Sequence, residues 1–67
     1  MKSADIRLTQ HGTIDIIGCL SREAFEFMVE HTAADALWLG RSLAVEPRYA
    51  ANIMAALAAE GFEIERD

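Results

Sequence analysis

The sequence has few of the residues that stabilise small proteins through covalent bonds or metal ions. It contains one cysteine, Cys19, and two histidines, His11 and His31, among its 67 residues. A single cysteine excludes an intrachain disulfide, and no CxxC or HxxxH pair provides the spacing of a metal site. We therefore expect no metal, no cofactor and a reducing, cytoplasmic environment.

Long apolar runs are also absent. No segment approaches the roughly 18 apolar residues of a transmembrane helix. The charged residues Asp5, Arg7 and Asp15 interrupt the region in which a signal peptide would have its apolar core. The sequence therefore predicts neither membrane insertion nor export.

Positive charge is scarce, since 6 basic residues face 11 acidic ones and the formal net charge is −5. Such a charge repels nucleic acid and anionic membranes and attracts basic surfaces. Four acids lie close together near the C-terminus: Glu60, Glu63, Glu65 and Asp67. We predict that they bind a partner protein with a basic surface, the alternative being a solvated strand end that keeps the protein soluble.

The overall composition is that of a globular protein. Hydrophobic residues make up 52% of the chain and charged residues 25%, which is unlike a disordered segment. No linker, repeat or low-complexity segment divides it, so residues 1–67 are predicted to form a single domain. Because so short a chain has a small core and neither a disulfide nor a metal ion to stabilise it, we also expect a homodimer.

Alternating apolar residues predict an N-terminal β-hairpin. They are Ile6 and Leu8 in the first segment, then Ile14, Ile16 and Leu20 in the second. A three-residue loop over 10–12 would place Gly12 where a left-handed residue is needed. The resulting register pairs Thr9 with Thr13, Leu8 with Ile14, Arg7 with Asp15 and Ile6 with Ile16. It leaves Cys19 on the outer face of the hairpin.

Local signals predict two helices. Ser21 is a natural N-cap and Glu23 favours the first turn, so one helix is expected from Arg22 to about His31. Pro47 suits the first position of a second helix, and Gly61 suits the residue just past its end. The alternation that follows, with Phe62 and Ile64 apolar and Glu63 and Glu65 acidic, predicts a short C-terminal strand.

The segment from Asp35 to Val45 is ambiguous. Its leucines alternate as in a strand, whereas Thr32 with Asp35 makes a capping box and Leu39 with Leu43 has helical spacing. We favour a helix, which predicts an α+β fold with an N-terminal β-hairpin, three short helices and a short C-terminal strand. The alternative is ββαβαβ, with residues 37–45 as a strand.

The helical interpretation gives residues 39–53 a resemblance to the helix-turn-helix pattern. Gly40 would lie where two helices cross, Leu43 and Ile53 would fill the angle between them, and the second helix would begin at Pro47. With the strand after Gly61, residues 39–64 resemble the winged-helix superfamily. The resemblance implies a dimeric DNA-binding transcriptional regulator.

Arg41, Arg48 and Asn52 would contact DNA in that case, because arginine and asparagine suit guanine and adenine edges. The acidic charge opposes this function, since phosphate contacts supply most of the affinity. Nor does the sequence place a nucleophile beside a histidine or contain a glycine-rich phosphate loop. We therefore expect no enzyme.

The preferred prediction is a small protein-binding module that acts as a regulator or inhibitor of a macromolecular partner. One such class is an acidic blocker of a nucleic-acid-binding protein, of the anti-CRISPR or anti-repressor type. Besides the four C-terminal acids, Trp38 and Tyr49 are predicted to contact the partner, because large aromatic residues dominate interface energetics. The alternative for Trp38 is that it covers the small core.

Overall fold

The chain forms a mixed β-sheet with helices packed on one of its faces. The computed structural model describes residues 4–32 and 36–66. Within them the elements are β1 (Ile6–His11), β2 (Ile14–Cys19), α1 (Arg22–His31), β3 (Leu37–Leu39), β4 (Ser42–Val45), α2 (Pro47–Ala59) and β5 (Ile64–Arg66). The strand order is β3-β4-β2-β1-β5, antiparallel throughout except that β5 runs parallel to β1.

The predicted helix over Asp35 to Val45 is wrong. The described part of that segment is a β-hairpin, in which Leu39 pairs with Ser42 around a two-residue loop. Gly40 occupies the first loop position with a φ of +66°, as a type II′ turn requires. The fold is therefore α+β with two helices in the described residues, and the helix pair implied for residues 39–53 is not formed. The alternative topology is also wrong, because residues 37–45 supply two strands rather than one.

The N-terminal hairpin exists, but its predicted register is wrong. The loop is Gly12-Thr13, with Gly12 at φ +62°, so that Ile6 pairs with Cys19 and Leu8 with Ile17. None of the four predicted pairs forms: Thr9 with Thr13, Leu8 with Ile14, Arg7 with Asp15, Ile6 with Ile16. Because the side-chain period of a strand is two, this odd shift of three residues exchanges the two faces of β2. Cys19 is consequently buried rather than on the outer face.

The local signals for the two helices are confirmed. The Ser21 hydroxyl accepts a hydrogen bond from the Ala24 amide at 3.2 Å, which caps α1. Helix α2 begins at Pro47, and Gly61, just beyond its end, has a φ of +89°. The predicted C-terminal strand is present as β5, which adds to the edge of the first hairpin.

The hydrophobic core lies between the helices and one face of the sheet, which we call the covered face. Its buried apolar residues are Ile6, Leu8, Ile17, Cys19, Ala24, Met28, Leu43, Ala50, Met54 and Leu57. Trp38 packs edge-to-face on Phe25, with ring centroids 5.3 Å apart, and so joins β3 to α1. Every strand residue in this core comes from the same side of the sheet, because paired residues share a face.

Candidate binding surfaces

The opposite side of the sheet, which we call the open face, has no helix packed on it. Its residues follow from the pairing register: Arg7, Thr9 and His11; Ile14, Ile16 and Gly18; Leu37 and Leu39; Ser42 and Ala44; and Glu65. None of these residues is buried. The open face is therefore accessible across all five of the described strands.

One end of the open face is apolar. Leu37 and Leu39 on the edge strand β3 are 61% and 57% exposed. A lateral row continues from Leu37 through Ala44 to Ile16, each paired with the next across the sheet, and Ile14 lies beyond Ile16 on the same strand. Contiguous exposed apolar surface of this kind marks interaction sites.

The open face carries no net charge, although the protein as a whole is acidic. Its described Lys, Arg, Asp and Glu residues are Arg7 and Glu65, which form an ion pair of 2.6 Å between Nη2 and Oε2; His11 is counted as neutral, as in the formal charge. The ion pair lies at the β5 end of the sheet, away from the exposed leucines. An uncharged apolar surface on a protein of net charge −5 is suited to close contact with another protein.

The predicted C-terminal acids occupy different environments. Glu65 belongs to the open face and is paired with Arg7. Glu60 is exposed at the end of α2, and Glu63 is exposed just before β5. Asp67 lies outside the described residues. The acids that remain without a cationic partner in the described chain, Glu60 and Glu63, are thus off the sheet.

The two aromatic residues predicted to contact a partner also differ. Trp38 faces the core and is half-buried against Phe25. Tyr49, in the first turn of α2, is 52% exposed, and the Arg48 guanidinium lies 5.1 Å from its ring centroid. Tyr49 is therefore available at the surface, whereas Trp38 mainly contributes to packing.

The three residues predicted to contact DNA do not share a helix. Arg41 lies in the β3–β4 loop, 5.0 Å from the centre of the Phe25 ring. Arg48 and Asn52 are exposed on α2, and the Arg48 side chain is 3.3 Å from the Glu46 carboxylate. Because β4 separates Arg41 from the start of α2, the two arginines lie at opposite ends of that strand.

A second surface is a groove of about 480 Å³ between α2 and the covered face. Its sheet side includes Leu8, Gln10 and Asp15, and its helix side is formed largely by small residues: Pro47, Ala50, Ala51, Ala55 and Ala58. Ile64 and Arg66 of β5, together with Met54, complete the lining. The groove is open to solvent along one side of α2.

Asp15 is the charged residue buried at this groove, with 4% of its surface exposed. No hydrogen bond or ion pair joins its carboxylate to another side chain of the described residues. Within those residues, side-chain oxygens that are fully shielded from solvent all have partners. The Asp15 carboxylate therefore keeps contact with solvent, and that contact is through the groove.

Sequence reasoning missed Asp15 because the predicted register placed it on the outer face, opposite Arg7. The available signal was its position in β2, where a single acid is flanked on both sides by isoleucines. Such an acid faces either solvent or the core, and only the pairing register decides which.

Cys19 is unsuited to nucleophilic chemistry. It is buried on the covered face, and burial raises the pKa of its thiol, an effect that the nearby Arg41 charge partly offsets. A protonated thiol is a poor nucleophile. Within the described ranges, no group of three or more histidine, cysteine or acidic side chains is arranged to hold a metal ion.

The helices are short. The longer one, α2, has 13 residues, and none in residues 4–32 and 36–66 has the length and apolar character needed to cross a membrane. Comparisons with protein-family models, curated proteins and solved structures find no match to this chain.

Proposed function

We propose that this protein is a non-enzymatic protein-binding module that uses the open face as its docking surface, first of all for a second copy of the chain. The observation that carries the proposal is the uncharged, apolar open face of an otherwise acidic domain. The folding of the chain does not require apolar residues there, because the helices already cover the other side of the sheet.

Charge favours this face for self-association. Two molecules of net charge −5 repel one another, and the repulsion is smallest where the contacting surfaces carry no net charge. A two-fold axis would bring the same residues together from both copies. Strands about 4.8 Å apart give a five-stranded sheet a width of about 24 Å. We expect an interface near the lower limit of specific complexes, about 1,200 Å² in total, and dimerisation in the micromolar concentration range.

A dimer formed in this way would present its helices outward. The outer side of α1 carries Glu23, Glu26 and Glu30, and Glu60 lies at the end of α2. The assembly would thus offer acidic surface on both outer layers, which attracts a basic partner and speeds association with it. This arrangement supports a role as a regulator or inhibitor of a macromolecule with a basic surface, such as a nucleic-acid-binding protein.

Light scattering coupled to size-exclusion chromatography tests the proposal. Wild-type protein is expected to shift from the 7.4 kDa monomer mass towards twice that mass as its concentration rises through the micromolar range. Leu39→Glu places a charge in the apolar part of the open face and should leave a monomer at all concentrations. Val29→Glu is the matched control, because Val29 is an exposed apolar residue on α1, and it should still dimerise.

Two results would contradict the proposal. One is a wild-type mass that stays monomeric up to millimolar concentration. The other is a dimer that survives Leu39→Glu, whatever the mass of Val29→Glu. Circular dichroism of both variants checks that the fold is retained, since both substitutions are at exposed positions and should leave the spectrum unchanged.

A further inference from the structure

We propose that the groove beside α2 is a receptor for a single basic side chain, lysine or arginine, of a protein partner, with the Asp15 carboxylate binding its cationic end. The inference rests on the proposed protein-binding role but not on the open face. The groove lies on the other side of the sheet, so it stays accessible in the proposed dimer.

The first argument is the state of Asp15. Burial of a carboxylate lowers stability unless the charge is paired, and the described residues provide no pairing group for this one. Pro47 and Ala50, from the first turn of α2, also line the groove, and a helix N-terminus favours a nearby negative charge. An uncharged side chain would nevertheless suit the position better for folding, which is the pattern expected of a functional residue.

The second argument is the chemistry of the lining. Alanines on the helix side, with Leu8 and Ile64 from the sheet, give the groove apolar walls next to the carboxylate. A lysine side chain matches this arrangement, because its methylene stem packs on apolar surface while its charged end reaches a polar group. Arginine fits the same chemistry, because its stem is also apolar and a carboxylate accepts a planar guanidinium through two hydrogen bonds.

Arg66 is the competing cation in the same groove. It lines the groove from β5 but forms no ion pair with Asp15. Its positive charge should repel an incoming ammonium, so that Arg66→Ala is expected to tighten binding of a lysine probe. Binding of the lysine probe that is unchanged or weakened in Arg66→Ala would show that the probe does not bind beside Arg66 and would contradict the proposal.

The test is an NMR titration of uniformly ¹⁵N-labelled protein with Nα-acetyl-lysine N-methylamide. A norleucine analogue, which lacks only the ammonium group, and an arginine analogue provide the comparisons. We expect millimolar binding of the lysine probe, with amide shifts confined to the groove around Asp15, Ala51 and Ala55. The norleucine analogue should cause no shifts, and the arginine analogue should bind at least as tightly as the lysine probe, because its guanidinium can pair with the carboxylate through two hydrogen bonds.

Asp15→Asn is the decisive variant. It should weaken binding of the lysine probe at least tenfold, because it removes the negative charge that pairs with the ammonium group and keeps the shape of the side chain. Glu63→Gln is the matched control, since it removes the same charge from an exposed position and should bind like wild type. If Asp15→Asn does not fold, the tighter binding expected of Arg66→Ala tests the same site.

Three results would overturn the inference. Undiminished binding by Asp15→Asn would exclude the carboxylate, and equal shifts with the norleucine analogue would exclude a charge-specific site. Shifts centred on the exposed acids would indicate only general attraction of cations. The titration is repeated on Leu39→Glu, which should still bind the lysine probe. Loss of probe binding at the groove can thus be distinguished from loss of dimerisation at the open face.

Discussion

The two faces of the sheet are built from the same strands but differ in what folding demands of them. On the covered face, Ile6, Ile17 and Leu43 are at most 1% exposed against the helices. On the open face, Leu37 and Leu39 are apolar yet more than half exposed. Apolar residues are needed on the first face for the chain to fold. On the second they lower solubility without filling a core, which points to contact with another molecule.

Alanine substitutions at two adjacent isoleucines of β2 should show the largest difference in stability between the faces. Ile17 is fully buried, so Ile17→Ala should lower the free energy of unfolding by about 2–5 kcal/mol. Ile16 lies on the open face, so Ile16→Ala should lower it by less than about 1 kcal/mol. Urea denaturation at protein concentrations below dimerisation measures both values. Equal losses would mean that the two faces do not differ as described.

The covered face should also give the protein a sensitivity to alkaline pH through Cys19. Burial holds the pKa of the folded thiol above its ordinary value of 9.0. As the pH rises past that value, the unfolded chain loses the thiol proton first, and the free energy of unfolding therefore falls until the folded thiol also ionises. Cys19→Ala should remove this part of the pH dependence. Parallel stability profiles for the two proteins between pH 8 and 11 would contradict the expectation.

The smallest effect on stability is expected from the ion pair of the open face. Arg7 and Glu65 are both about half exposed, and pairs of this kind contribute about 0.2–1 kcal/mol. Arg7→Ala should nevertheless weaken the dimer, because it leaves the Glu65 charge unpaired on a face that is otherwise neutral. Removing both side chains should restore part of the affinity. Sedimentation equilibrium of the single and double variants measures the three dimer affinities. If Arg7→Ala dimerises as tightly as wild type, the neutral charge of the open face does not contribute to dimerisation.

The helices could be predicted from the sequence because their signals are local. Ser21 before α1, and Pro47 and Gly61 at the two ends of α2, act within a few residues of where they stand. The structure has helix boundaries at these positions. No information about distant parts of the chain was needed for them.

The strands could not be predicted to the same degree because their register depends on partners. Strand β2 has isoleucine on both faces, at Ile16 and Ile17, so its alternation does not select the face that is buried. At Gly40 the sequence is compatible with a helix crossing and with a two-residue turn, and the pairing of β3 with β4 decides between them. The Asp15 groove requires both the correct register and the position of α2, so no local pattern predicts it.

The most direct test of the central claim is to locate the contacts between two copies of the protein. A sample that mixes ¹³C-labelled and unlabelled chains, analysed by isotope-filtered NOE spectroscopy, detects only contacts between molecules. If the open face is the dimer interface, we expect intermolecular NOEs among the methyl groups of Leu37, Leu39, Ala44 and Ile16. Intermolecular NOEs that arise instead from Val29 on α1 or from the alanines of α2, with none from the open face, would contradict it.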